Sequence, residues 1–369
     1  MSRRGIVEIV EGYYLALALD GLHQAGVLAA LAASPMDAES LGRRLGLAAG
    51  LLERLLDFVA ARTDLVVKES GGFAINADPR TLRLTRHMLD QYVGAYGPLL
   101  GRLPTLLKDP AAGPALVDRA RHAAAFAGPD DGASASCAET VRLILELGAT
   151  SIVDLGCGGG HLLCDAAAAN PDLRGLGIDS NPEAVKVARR LARRRGVDGR
   201  IEATCGDALD VIGRRGDQER RGVQLVVASS MLNARWTAPG DAVQFLQRLA
   251  RLLPGRILIV SDYYSRLQAG GANEAGSRTL IHDIAQLLSG QGLPPASLEG
   301  WEGAYRAAGA DLLHGFEATG DGIERFIHIV KLAEPPPEPS PTKRKARWRQ
   351  PGRAEAAPPS TPESPKSAP

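Results

Sequence analysis

The sequence predicts an α/β fold in which a helical region precedes a doubly wound sheet, and two patterns indicate it. From residue 151 onward, near-continuous apolar runs of strand length alternate with stretches of helical apolar spacing. That alternation is typical of a parallel sheet with helices on both faces. Two further strand-like runs flank a Gly-Asp-Gly turn at 320–322, which predicts an antiparallel hairpin as the last part of the sheet.

We predict a separate N-terminal domain over residues 1–79. Helical apolar spacing covers most of residues 6–63, and two short strand-like runs around Gly71 and Gly72 follow it. Helices followed by a two-stranded hairpin are typical of a winged helix, a fold that often binds DNA. DNA binding is therefore a candidate function of this domain.

The charges of the candidate recognition helix disfavour DNA binding. Glu53 and Asp57 offset Arg54 and Arg62, whereas a helix that enters a groove should present several uncompensated cations to the phosphates. We therefore expect this domain to mediate dimerisation or to build part of a pocket. A winged-helix regulator that senses a cofactor through its C-terminal domain is the alternative that these residues leave open.

Three further segments complete the predicted organisation. Residues 80–136 are mainly helical and are interrupted by prolines, so we expect a connector that lies over a pocket. Residues 137–332 carry the α/β domain. Residues 333–369 are rich in proline and basic side chains and have almost no apolar residue to bury, which predicts a disordered tail.

The overall composition argues against several partner classes. Lys and Arg total 43 against 42 Asp and Glu, so no global field attracts nucleic acid or an anionic membrane. Glu8, Glu11 and Asp20 interrupt the N-terminal apolar stretch, and no apolar run reaches about 18 residues, so we expect neither a signal peptide nor a membrane span. The four cysteines form no C-x-x-C pair, which favours reduced thiols and a cytoplasmic location.

The segment from Asp154 to Gly160 has the pattern D-x-G-x-G-x-G directly after the first predicted strand. Glycine inside an element costs roughly 0.5–1 kcal/mol relative to alanine, so we interpret the repeated glycines as a place where a ligand approaches the backbone. Asp179 ends the second predicted strand, where an acid could bind ribose hydroxyls. These features alone also fit an NAD-dependent dehydrogenase.

Three features together resemble the class I S-adenosylmethionine-dependent methyltransferases, over about residues 150–332. They are Asp154 ahead of the glycines, Asp207 at the end of the third predicted strand, and the antiparallel closing hairpin. The resemblance implies a Rossmann-like seven-stranded sheet with an antiparallel last strand and S-adenosylmethionine as the cofactor. It implies cofactor-binding residues at Asp154, Gly156, Gly158, Gly160, Asp179, Ser180, Asn181, Asp207, Ala208 and Ser229.

The same resemblance implies a role for each group of these residues. Asp154 and the glycines would shape the loop around the methionine part of the cofactor, and Asp179 would hold the ribose. Asp207 and Ala208 would contact the adenine, and Ser229 would lie where the fourth strand opens onto cofactor and acceptor. Simpler interpretations stay open, since Asp179 could only cap the helix that begins at Pro182.

The N-terminal region and the connector resemble those of small-molecule O-methyltransferases, which implies a homodimer that forms through the N-terminal domain. Many of these enzymes place a histidine as general base just after the fourth strand. This chain has Met231 and Asn233 there instead. Asn233 is therefore a catalytic candidate, and O-methylation by a histidine at this position is not expected.

The segments LLSGQGLPP at 287–295 and GDGIERFIHIV at 320–330 are similar to those of the C-methyltransferases of 2-oxo acids and related metal-dependent enzymes. His282 follows the fifth predicted strand, and Asp262 ends that strand. The resemblance implies catalytic roles for both, and one imidazole with carboxylate oxygens suits iron or a similar divalent metal. An ordinary base or a helix-surface residue is the alternative for His282. We expect a small-molecule acceptor, free or carrier-bound, from secondary metabolism, methylated on carbon or oxygen.

Overall fold

The computed structural model describes residues 5–125, 135–270, 278–320 and 323–334. The predicted tail beyond residue 334 and two residues of the predicted closing turn, Asp321 and Gly322, lie outside these ranges. The domain boundaries stay predictions, whereas the helices and strands within them can be compared with the structure.

The N-terminal part contains four helices followed by a hairpin, as the sequence predicts. The helices are α1 (Ile6–Gln24), α2 (Val27–Ala33), α3 (Ala38–Leu45) and α4 (Ala49–Ala60), and the strands are β1 (Val66–Glu69) and β2 (Gly72–Ile75). The break after α1 occurs at Gly26, whose φ of 78° suits a residue without a side chain. Leu31, Leu41 and Leu56 are buried in the core that these elements share.

The connector consists of short helices, and its prolines fall where helices begin. The helices are α5 (Pro79–Met88), a π-helix (Leu89–Ala95), α6 (Gly97–Gly101), α7 (Leu103–Leu106), a 3-10 helix (Pro110–Ala112), α8 (Gly113–Leu116) and α9 (Arg119–Ala124). Proline is tolerated in a first helical turn because its missing N–H has no partner there. Pro98, Pro104 and Pro114 occupy such positions.

The C-terminal part is the predicted α/β layer structure. Its strands are β3 (Ser151–Leu155), β4 (Arg174–Asp179), β5 (Ile201–Cys205), β6 (Leu225–Ser229), β7 (Ile257–Tyr263), β8 (Asp311–Gly320) and β9 (Ile323–Lys331). Its helices are α10 (Ala135–Glu146), α11 (His161–Ala169), α12 (Pro182–Arg194), α13 (Ala208–Arg214), α14 (Asp217–Gly222), α15 (Asp241–Leu252), α16 (Arg278–Leu288) and α17 (Leu298–Ala307), with a 3-10 helix at Leu232–Ala234.

Within the described ranges these strands form one seven-stranded sheet in the order β5-β4-β3-β6-β7-β9-β8. The first five pair in parallel, and β9 lies antiparallel to both β7 and β8. Neighbouring residues of one strand face opposite sides of a sheet. Accordingly, Val226 belongs to one apolar cluster and Val227 to another, and helices cover both faces. The predicted fold class is confirmed.

The end of the third strand differs from the prediction. This strand ends at Cys205, two residues before Asp207, and Asp207 is the N-cap of α13. Its carboxylate accepts hydrogen bonds from the backbone N–H groups of Leu209 and Asp210, at 2.9 and 3.2 Å. The helical propensity of this short segment was missed because an Asp that follows a strand looks the same whether it ends the strand or caps a helix.

No single helix of the described chain is long and apolar enough to cross a membrane. Among the described helices, only the pair α1 and α2 meets that test of length and composition together, with a bend of 69° between them. Leu22, Val27 and Leu31 of this pair are buried in the N-terminal core, as expected for helices that pack within a folded domain.

Candidate active site

The glycine loop follows β3 and bends over the end of β4. Gly156, Gly158 and Gly160 have φ values of 72°, 52° and 78°, in the left-handed region that side chains disfavour. The N–H groups of Gly156 and Cys157 both donate to the carbonyl of Ile178, at 2.7 and 3.0 Å. The loop is therefore fixed to the neighbouring strand by its backbone.

The room for a side chain differs between the glycines of this loop, so they are glycines for different reasons. A Cβ on Gly160 would lie 2.9 Å from the Cβ of Ala188 on α12, so this glycine allows helix and loop to pack closely. A Cβ on Gly158 would meet no atom within 4 Å. The open space beside Gly158 leaves room for a ligand, whose approach stays a prediction, while Gly160 is required by packing.

Asp179 connects the loop to the end of β4. Its Oδ2 accepts a hydrogen bond from the N–H of Gly158 at 2.9 Å, and its Oδ1 accepts one from the N–H of Asn181 at 2.8 Å. The cap of α12 is Asn181, whose Oδ1 accepts from the N–H of Glu183 at 3.1 Å. The interpretation of Asp179 as a helix cap is wrong, because its carboxylate organises the loop.

Asn181 also links the loop to the connector. Its Nδ2 donates to the carbonyl of Arg119, the first residue of α9, at 3.0 Å. His122, one turn further along α9, is half-buried; burial lowers the pKa of its imidazole, and the charge of Asp179 opposes that shift. The connector therefore lies beside the predicted ribose-binding residue, as the sequence predicts for a segment over a pocket.

Asp154 is the next-to-last residue of β3, ahead of the loop, and is 2% exposed. Burial raises its pKa to about 8, and the nearby charge of Asp179 acts in the same direction. A cation placed beside a carboxyl group with so high a pKa would lower that pKa. The edge of the sheet thus holds two neighbouring acids on β3 and β4.

The remaining predicted cofactor residues lie at the same edge of the sheet. Asp207 is partly exposed, with 44% of its side chain accessible, and its carboxylate lies 3.8 Å from the guanidinium of Arg235. Its predicted position at the end of a strand is wrong, since it caps α13 instead. Ala208 is buried, Ser180 is exposed, and Ser229 is half-buried at the end of β6. Their contacts with a cofactor stay predictions.

One residue at this edge, Arg325, was missed by sequence reasoning, and it bonds Ser230. Ser230 follows β6 with φ of 50°, an unusual conformation for a residue other than glycine. Its Oγ accepts a hydrogen bond from Arg325 at 2.8 Å. Arg325 pairs with Tyr263 across β7 and β9, which places it at the carboxyl end of β7. No motif indicates Arg325, because only the strand pairing brings it to this edge.

His282 lies on α16 in a buried group of polar side chains. Its Nδ1 is 3.2 Å from the hydroxyl of Tyr92 in the connector. Its Nε2 is 3.4 Å from Nδ2 of Asn233 and 3.2 Å from Nε2 of Gln286. Because both amides donate to Nε2, we assign the ring proton to Nδ1. Burial lowers the pKa of His282 to about 3, so the ring is neutral.

The structure brings Asn233 and His282 into contact and places Asp262 behind them. Asp262 has no exposed surface, and burial raises its pKa to about 7. Its two oxygens accept hydrogen bonds from the N–H groups of Asn233 and Tyr263, each at 3.0 Å. Asp262 therefore fixes the turn that carries Asn233.

These residues do not fit the predicted iron site. Both ring nitrogens of His282 are bonded to side chains, and both oxygens of Asp262 are bonded to the backbone. Asp283 binds the hydroxyls of Tyr263 and Ser265 and the N–H of Leu267. Across the part of the chain that the structure describes, no group of three or more His, Cys, Asp or Glu side chains could hold a metal ion.

A family model described as a methyltransferase domain matches residues 147–296. Methyltransferase ungE' of Aspergillus campestris is 32% identical over 168 residues, which cover 43% of this chain and 47% of that protein. The O-methyltransferase imqG of Aspergillus flavus is 25% identical over 150 residues, or 38% of this chain and 58% of that protein. The chain therefore spans about half the length of the curated relatives that it matches.

Solved structures match about nine tenths of this chain. The mitomycin 7-O-methyltransferase MmcR is 21% identical, with a TM-score of 0.63 over 89% of this chain and 97% of that one. The structure titled PigF with SAH is 20% identical, with a TM-score of 0.64, and the match covers 90% of this chain and 100% of that one. This likeness shows the fold of those O-methyltransferases, and the methyltransferase family model matches residues 147–296 of it.

Two alanine substitutions test the two reasons for the glycines. Gly158→Ala should lower the free energy of unfolding by about 1–2 kcal/mol, the cost of a left-handed residue with a Cβ. Gly160→Ala should cost roughly 1–3 kcal/mol more, because it also overlaps Ala188. Urea denaturation of both variants measures this difference. Equal losses would contradict the packing role of Gly160.

The raised pKa of Asp154 predicts a pH dependence of stability. Below its ordinary value of 3.8 the group is protonated in both states, and from there to about 8 only the unfolded chain releases the proton. The free energy of unfolding should therefore fall as pH rises through this window, by on the order of 1 kcal/mol per pH unit from this group. Asp154→Asn should lose that part of the slope. If the free energy of unfolding changes with pH in the same way in both proteins, the raised pKa of Asp154 is contradicted.

Proposed function

We propose that this chain is an S-adenosylmethionine-dependent methyltransferase that acts on a small molecule of secondary metabolism. The observation that carries the proposal is the edge of the sheet where Asp154, the open side of Gly158 and Asp179 meet. The methyltransferase domain over residues 147–296 supports it. So do the names of the relatives, two of which are methyltransferases of fungi.

The residues present fit this cofactor. The cofactor is a sulfonium that supplies an already activated methyl group. Asp179 would hold the ribose hydroxyls, and Asp207 and Ala208 would contact the adenine. The space beside Gly158 would admit the methionine part, because no side chain fills it. The protein's own contribution is then to position the acceptor and exclude water, which account for much of the rate in such displacements.

The alternatives have weaker support. A dehydrogenase would not be expected to close its sheet with the antiparallel pair β8 and β9. For a DNA-binding regulator, cations of the N-terminal part should be available to phosphates, yet Arg43 pairs with Glu39 and Lys68 pairs with Asp57. Between oxygen and carbon as the methylated atom, we favour oxygen, because the residues predicted to hold a metal for C-methylation are bonded to other groups.

We further propose that the chain forms a homodimer through α1. The first half of this helix exposes large apolar side chains, at exposed fractions of 45–76%, and they are Ile6, Val7, Ile9, Val10, Tyr13 and Tyr14. Exposed apolar groups that lie together are typical of an interface. A second copy of the same helix would cover them with an identical apolar surface, as a two-fold interface requires.

The cofactor site is tested by Asp179→Ala. The variant loses the carboxylate expected to bind the ribose. Because a hydrogen bond to a charged group contributes about 1.5–3 kcal/mol, the affinity for S-adenosylmethionine should fall at least about tenfold. Asp172→Ala, which changes an exposed acid ahead of β4, is the matched control. Isothermal titration calorimetry measures both. Unchanged affinity in a folded Asp179→Ala protein would reject the proposed cofactor site.

The dimer is tested by adding charge to α1. Val10→Glu combined with Tyr14→Glu places two carboxylates one turn apart on the exposed surface and should yield a monomer in sedimentation velocity, while the unmodified chain sediments as a dimer. Leu298→Glu, an exposed apolar position on α17, should leave the dimer intact. A monomeric unmodified chain, or a dimeric double variant, would refute this interface.

A further inference from the structure

The predicted catalytic side chains are not placed to remove a proton. A general base must reach its proton with a free lone pair. The Nε2 lone pair of His282 receives hydrogen bonds from two amides, and Asp262 is fully buried with its oxygens on backbone N–H groups. Asn233, at the position where related enzymes would have a histidine, is a carboxamide and accepts no proton at neutral pH.

Two cations lie beside this group instead. Arg325 stands at the carboxyl end of β7 and donates to Ser230, next to the cofactor loop. Arg278, at the start of α16, hydrogen-bonds Tyr92, which in turn contacts His282. Both arginines lower the pKa of His282 and oppose the rise that burial causes in the pKa of Tyr92. Among the described residues, the titratable and charged groups around the imidazole include Tyr92, Tyr263, Arg278, Arg325, His87, His122, Asp262 and Asp283.

Two buried hydrogen-bonding atoms of the same group have no partner. They are Oδ1 of Asn233 and Oε1 of Gln286, in residues that are 3% and 1% exposed. Turning either amide by 180° would direct its oxygen to His282 and leave an N–H without a partner instead. A buried polar atom left unpaired costs about 1–3 kcal/mol, so these amides favour a ligand that can bond to them.

We propose that the acceptor is an acidic hydroxyl compound, an enol of a 1,3-dicarbonyl or an acidic phenol, which binds as an oxyanion stabilised by Arg325. The proposal rests on the proposed function. A hydroxyl or amide neighbouring the oxyanion would bond to the two free amide ends. In the transfer, an oxygen lone pair forms the bond to the methyl carbon, and the electron pair of the broken carbon–sulfur bond stays on sulfur. Oxyanion and sulfonium charges cancel, so no protein base has to accept a proton.

This proposal is tested by the ionisation of a bound probe. The full-length protein is saturated with S-adenosylhomocysteine, which lacks the sulfonium charge, and 4-nitrophenol is titrated with pH while its phenolate absorbance is followed. A nearby cation lowers the pKa of an acid by 1–3 units, so the ionisation constant of bound probe should rise at least about tenfold over the free compound. The 1,3-diketone cyclohexane-1,3-dione, followed by its enolate absorbance, is the second probe.

Variants distinguish the effect of Arg325 on the ionisation of the bound probe from the effect of the protein's overall charge. Arg325→Gln should lose most of the rise in ionisation constant, and Arg325→Lys should keep most of it. Arg306→Gln removes an exposed arginine that pairs with Glu302 on α17 and should change nothing. An unshifted ionisation constant in the unmodified complex, or the same shift in Arg325→Gln, would overturn the proposal.

The remaining outcomes are also decisive. If neither acidic probe binds the complex with S-adenosylhomocysteine, or if neutral alcohols bind equally well, the acceptor class is wrong while the proposed function stands. If S-adenosylhomocysteine itself does not bind, the proposed function fails, and this inference fails with it.

Discussion

The hydrogen bond between the carboxylate of Asp179 and the N–H of Gly158 joins two neighbouring strands at the edge where the ligand site is expected. The rest of the site is built around it. The loop after β3 keeps its left-handed glycines because its backbone is fixed to β4. The same turn carries Asn181, which caps α12 and bonds the connector helix α9. One strand end therefore orients the loop, a helix and the segment over the site.

The group of side chains around His282, where the acceptor is expected to bind, is held in place by hydrogen bonds between buried polar groups. Asp262 fixes the turn with Asn233, Asn233 and Gln286 bond the imidazole of His282, and that imidazole bonds Tyr92 from the connector. Such a network stays rigid when its members are paired. Here two amide ends are free and two arginines lie close by. The arrangement suits recognition of an acidic molecule better than proton removal or metal binding.

Much of the fold could be predicted from the sequence because it is encoded by local periodicity. The alternation of apolar runs after residue 151 predicts the sheet, and the D-x-G-x-G-x-G pattern predicts the loop. The helix α13 was missed because Asp207 is compatible with both a strand end and a helix cap. The contact between Tyr92 and His282, 190 residues apart, has no local signal. Arg325 was missed for the same reason, since strand pairing alone brings it to the site.

The strand ends of β3 and β4 should form the binding site for S-adenosylmethionine, and a crystal structure of the complex with S-adenosylhomocysteine measures whether they do. The ribose hydroxyls should lie against the carboxylate of Asp179, and the amino-acid part should pass the open side of Gly158. Ribose placed away from Asp179, or a loop that closes over Gly158 and leaves no path, would show that these strand ends do not bind the cofactor.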